Sequence, residues 1–154
     1  MNTRTLLGFH VAGYAVRTSN SDIAKISNVW SNFLQADLAS LVPIRIGQEI
    51  YAVYFDYEND HTGSYTFLLG VKVPSSEAIA PGTSGVEIQA GDYAVVTTAK
   101  GPAHEVVPAA WLQIWNNKEL ESARAYKADF EVYGDKAADP NDAQVEIYLS
   151  RPYY

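Results

Sequence analysis

The sequence predicts an α+β fold built from two tandem copies of a β-α-β-β unit related by a pseudo-twofold. Antiparallel sheets carry helices on one face, and a ligand groove lies between the units. Three observations lead there. Short runs recur in the same order in both halves: Ala12-Gly13-Tyr14-Ala15-Val16 echoes Ala90-Gly91-Asp92-Tyr93-Ala94-Val95, Trp30-Ser31-Asn32-Phe33-Leu34 echoes Trp111-Leu112-Gln113-Ile114-Trp115, and Phe55–Asp60 echoes Phe130–Asp135. In each half an apolar stripe at helical spacing sits between runs of β-branched and aromatic residues. Between the halves, Pro74 to Gly85 is rich in Ser, Pro and Gly and reads as a linker. On this reading residues 1–154 are a single domain with repeats at about 4–74 and 85–152, joined by a linker at 75–84.

Leu6 to Thr18 reads as one strand, with Gly13 marking a bulge. Ser19-Asn20-Ser21-Asp22 is an N-cap cluster, and Ile23, Ile26, Trp30, Phe33 and Leu34 follow at helical spacing to about Asp37. Pro43 and Gly47 punctuate the next segment. Ile50 to Tyr57 and Tyr65 to Val73 form a hairpin across a loop at 59–63. In the second half Val86 to Thr98 is a strand. A helix runs from near Pro102 to about Asn117; Pro108 requires it either to start there or to kink. Tyr126 to Tyr133 and Val145 to Leu149 close the chain as strands. The opposite side of the sheets from the helices is the expected place of the groove.

Composition narrows the function. A formal net charge of −7 and the absence of a Lys/Arg cluster argue against direct nucleic-acid binding. No cysteine is present, so there is neither a disulfide framework nor thiolate chemistry. No apolar run reaches the length of a membrane span, and the N-terminus lacks a signal-peptide pattern, so a soluble cytoplasmic protein is expected. The 11 tyrosines, 5 phenylalanines and 3 tryptophans suit a surface that is apolar in body and polar at the tips.

Within Tyr126 to Tyr133 the period of two puts Ala128, Phe130 and Val132 on one face and Asp129, Glu131 and Tyr133 on the other. A carboxylate walled by rings attracts cations through its charge and through the ring faces. Glu131 is therefore the central candidate. Tyr133 shares its face, and Trp111 belongs to the apolar stripe of the second helix. Tyr148 and Glu146 alternate with Val145, Ile147 and Leu149 and are expected to face the same side. Asp56 is the expected first-repeat counterpart of Glu131. Other chemistries find no support: His10, His61 and His104 lack metal-ligand spacing, and Gly82-Thr83-Ser84-Gly85 lacks the ending of a phosphate loop. No Gly-x-Ser-x-Gly elbow occurs. No metal or cofactor is called for.

The ordered series Val11-Ala12-Gly13-Tyr14, Phe67-Leu68-Leu69-Gly70, Gly91-Asp92-Tyr93, Ala110–Trp115 and Ala128–Tyr133 resembles the GyrI-like small-molecule-binding domain. This is the effector-binding domain of AraC-type and MerR-type multidrug-responsive regulators. The resemblance spans nearly the whole chain, without a helix-turn-helix, and so matches the stand-alone members. It implies a cationic, amphipathic small-molecule ligand, with Glu131 as counter-ion, and a transcription regulator as partner in trans. In a hydrolase branch the same glutamate would be a catalytic acid/base on cyclopropane-type compounds. A gyrase-inhibitor-like role through protein contacts is the remaining alternative.

Overall fold

The computed structural model describes residues 2–36, 42 and 44–152. Its strands are β1 (Thr3–Leu6), β2 (Phe9–Ser19), β3 (Ile50–Phe55), β4 (Ser64–Val73), β5 (Ser84–Ile88), β6 (Gly91–Thr97), β7 (Ala128–Tyr133) and β8 (Glu146–Ser150). The described helices are α1 (Ile23–Gln35), α2 (Ala103–Asn116) and the short α3 (Lys118–Ala123). All strands join one antiparallel sheet in the order β1-β6-β8-β7-β3-β4-β2-β5. Exchanging β1 with β5, β2 with β6, β3 with β7 and β4 with β8 returns the same order read backwards. The α+β fold with a pseudo-twofold is thus written in the topology, and the β3–β7 pair is the seam between the halves.

Each half opens with one strand more than the sequence pattern separates. Leu6 to Thr18, expected as a single strand, is broken at Leu7-Gly8, and β1 pairs with β6 while β2 pairs with β4 and β5. Gly13 is not a bulge: it pairs in register with Gly70, and a Cβ there would lie 2.0 Å from the Leu69 carbonyl oxygen. Glycine at both positions lets the two backbones approach. Asp22 caps α1 without a side-chain hydrogen bond, and α1 is described to Gln35; Asp37 and Pro43 lie outside the described residues. α2 begins at Ala103 and continues through Pro108, where the missing N–H leaves the carbonyl of His104 without its helical donor.

The sheet is curled into a half-barrel. Phe9 on β2 and Phe130 on β7 are three strand positions apart, which would be about 14 Å in a flat sheet. Their ring centroids are 5.7 Å apart. The concave face is closed by Phe130, Tyr93, Tyr148, Val53 and Leu68, all buried. On the other face α1 packs Val29 and Phe33 on β2, β3 and β4, and α2 packs Val107, Trp111 and Ile114 on Ala94, Ile147 and Leu149. Burying each large apolar side chain contributes about 1.5–3 kcal/mol. Tyr54 and Tyr133 touch both clusters, so the seam between the two helical cores runs over them.

Candidate functional site

The seam is open. A cleft of about 950 Å³ lies between α1 and α2, and its lining includes Tyr54, Glu131 and Tyr133 from the sheet, Trp30 from α1, and Trp111 and Trp115 from α2. It lies on the helical face, not on the opposite face where the sequence led us to expect it. Curling accounts for the difference: it brings the rings of the concave face together, and what remains open there is a smaller hollow of about 380 Å³ beside Phe55, Val86, Tyr93 and Ala128.

Glu131 sits mid-way along β7, opposite Ala52 on β3 and Ile147 on β8. It is 2% exposed. One carboxylate oxygen accepts from Tyr54 Oη at 2.8 Å and from Trp111 Nε1 at 2.7 Å, and the other accepts from Tyr133 Oη at 2.6 Å. Burial raises its pKa, and the hydrogen bonds from Tyr133, Trp111 and Tyr54 only partly offset that. Burial, reinforced by Glu131, holds the Tyr54 and Tyr133 phenols well above their ordinary pKa, so both remain donors. No ion pair found among the described residues includes Glu131. A buried carboxylate without a cation is costly.

Its neighbour on the same face is in the opposite state. Asp129 is fully buried and accepts from Arg124 Nη2 at 2.8 Å, Tyr57 Oη at 2.7 Å and the Ser150 backbone N–H at 2.6 Å. Arg124 also meets Glu121 at 2.8 Å and lies over the Tyr126 ring, 4.0 Å from its centroid. The cleft walls are rings set edge to face: Trp30 against Tyr133 at 4.9 Å and Tyr54 against Trp111 at 5.3 Å. At one end His61 stacks on Trp115 at 5.0 Å.

Of the residues singled out in the sequence, Glu131, Tyr133 and Trp111 come together here. Tyr148, Glu146 and Asp56 do not. Because Glu131 pairs with Ile147, and Phe130 with Tyr148, Ile147 shares the Glu131 face and its neighbours Glu146 and Tyr148 point to the other. Tyr148 stacks on Phe130 at 4.8 Å, and Arg4 binds Glu146 at 2.8 Å and Tyr148 Oη at 2.5 Å. Asp56 follows the last residue of β3 in a left-handed conformation, φ 53°, and pairs with Arg17 at 3.5 Å. It borders a separate hollow of about 380 Å³. Sequence reasoning assigned no site role to Tyr54, Tyr57, Arg124, Asp129 or His61. Tyr54 could have been found only with the β3–β7 register, which puts it on the face of Glu131. No group of metal-ligating side chains occurs among the described residues.

The integron-associated effector binding protein family, Cass2, matches residues 4–150. The chain belongs to this family. Small-molecule binding is accordingly the activity of this effector-binding domain. A Bacillus subtilis (strain 168) relative named "Putative transcriptional regulator protein YobU" is 31% identical over 144 residues, covering 90% of this chain and 89% of the relative. Among solved structures, the integron cassette protein VCH_CASS2 from the mobile metagenome of Vibrio cholerae superposes with a TM-score of 0.75 at 28% identity, covering 98% of this chain and 95% of the other. SAV2435, solved bound to tetraphenylphosphonium, shares the fold with a TM-score of 0.69 at 17% identity, covering 98% and 93%. Among the described residues of this Cass2 member no helix is long and apolar enough to cross a membrane.

Proposed function

We infer that this Cass2 member captures a cationic, lipophilic small molecule in the cleft, with Glu131 as its counter-ion. The observation that carries this reading is a carboxylate 2% exposed, held by three donors and by no cation, in an aromatic cleft of about 950 Å³. Tyr54, Trp111 and Tyr133 fix the carboxylate, and the rings around it supply cation–π attraction of about 0.5–2 kcal/mol each when desolvated. A cleft of this size is in the range of drug-sized ligand sites. Its walls select for charge and apolar area more than for one shape, which suits multidrug recognition. That SAV2435, of the same fold, was solved with tetraphenylphosphonium supports the ligand class. The regulator name of YobU supports a sensing role in transcriptional control. With a net charge of −7, DNA contacts fall to a regulator acting in trans in the cytoplasm.

The three tryptophans of the chain all line the cleft, so ligand entry is read as a change in their fluorescence. Titrating tetraphenylphosphonium into wild type and Glu131→Gln tests the reading. Loss of the buried charge costs about 2 kcal/mol or more, roughly 30-fold in Kd. Equal affinity in the two proteins refutes the counter-ion role. The raised carboxyl also fits a general acid/base. Turnover of an electrophilic cyclopropane compound by wild type and not by Glu131→Gln would move the reading to the hydrolase.

A further inference from the structure

The same face of β7 carries two carboxylates, and one already holds a cation. Asp129 and Glu131 are alternate residues, each buried, each bound by a tyrosine hydroxyl. The Arg124 guanidinium occupies at Asp129 the kind of place the cleft offers at Glu131. It touches the carboxylate at 2.8 Å, faces the Tyr126 ring at 4.0 Å and the Trp111 ring at 5.6 Å, and its Nε is buried without an acceptor. Arg124 is itself part of the cleft wall, and Trp111 serves both positions, with its ring toward Arg124 and its Nε1–H on Glu131.

We propose that Arg124 is a resident cation that fills the first of twin cation sites, so that the cleft admits a single positive charge and admits it at Glu131. Arg124 is then a specificity-determining residue. It turns away dications whose charges are about 7 Å apart, the spacing of alternate strand residues, by repulsion in a desolvated site. This rests on the reading of Glu131 as counter-ion.

The test compares tetraphenylphosphonium with methyl viologen, a flat dication whose charges are about one alternate-residue step apart. Wild type is expected to favour the monocation. Arg124→Met should shift the ratio of affinities toward methyl viologen by about tenfold or more, and adding Asp129→Asn should cancel the shift. An unchanged ratio in Arg124→Met, or a shift that survives Asp129→Asn, overturns the proposal. If Glu131→Gln in an otherwise wild-type chain leaves tetraphenylphosphonium binding intact, the counter-ion reading fails by itself, before Arg124 is altered. Stability supplies a second measurement should Arg124→Met fold poorly. Millimolar methylguanidinium should raise the melting temperature of Arg124→Ala by filling the vacated place, and should not raise that of Arg124→Ala/Asp129→Asn. No rise in the single variant, or an equal rise in both, overturns the proposal.

Discussion

Removing the charge of Glu131 should make the ligand-free protein more stable at neutral pH. In Glu131→Gln the amide oxygen retains the bonds from Tyr54 and Trp111 and the amide nitrogen donates to the Tyr133 oxygen, while the Tyr133 O–H, which loses its acceptor, turns to the open cleft. The desolvated charge is lost together with the Tyr133 hydroxyl's bond to the carboxylate, and the desolvation term is the larger. Because burial lifts the folded-state pKa above the unfolded value, the folded protein binds the proton more tightly. Wild-type stability from this group is therefore fully present below the unfolded pKa and falls as pH rises through the folded one. Each unit of elevation is worth about 1.4 kcal/mol, or roughly 3–5 °C in melting temperature for a chain of this size. Urea denaturation of both proteins from pH 4 to pH 8 reads it. The variant should gain on wild type as pH rises, and the two should converge in acid. A wild type that is as stable as the variant at pH 8 would mean that the three donors fully offset burial, and that the carboxylate has no need of a cation.

Three further outcomes are expected. Affinity for tetraphenylphosphonium should rise with pH through the Glu131 titration, because the cation selects the charged form, and calorimetry in buffers of different ionisation enthalpy should show proton release within that window. Asp129→Asn leaves Arg124 buried without its main counter-charge and should cost about 3–5 kcal/mol in urea denaturation, unlike Glu131→Gln. Asp56→Asn, Glu146→Gln and Tyr148→Phe, which lie away from the cleft, should each leave tetraphenylphosphonium affinity within about twofold of wild type.

What the sequence made legible follows its periodicities. The alternation in Ala128–Tyr133 puts Phe130 and Glu131 on opposite faces, as found, and the helical stripes contain Trp30 and Trp111. Phase between strands is a different matter. Glu146 and Tyr148 alternate with Ile147 in the chain, but only the pairing of Ile147 with Glu131 decides which set faces the cleft. Letter-by-letter comparison of the repeats made Asp56 the first-repeat counterpart of Glu131, whereas β3 ends at Phe55 and Asp56 lies beyond the strand, paired with Arg17. The Arg124–Asp129 pair spans a turn through Tyr126 in a left-handed conformation, φ 54°, which no period marks. α3 is only six residues long, too short for an apolar stripe, and its local signals are Asn117, whose side chain accepts from Leu120 N–H at 3.1 Å, and the acidic Glu119 and Glu121 of its first turn.

The most direct test of the account is a crystal structure of this protein with tetraphenylphosphonium. The cation should lie in the cleft between α1 and α2 with its phosphorus within about 6 Å of the Glu131 carboxylate and phenyl groups against Trp30, Trp111 and Tyr133. Cation density elsewhere, with the cleft vacant and Glu131 bound only to its three donors, would contradict it.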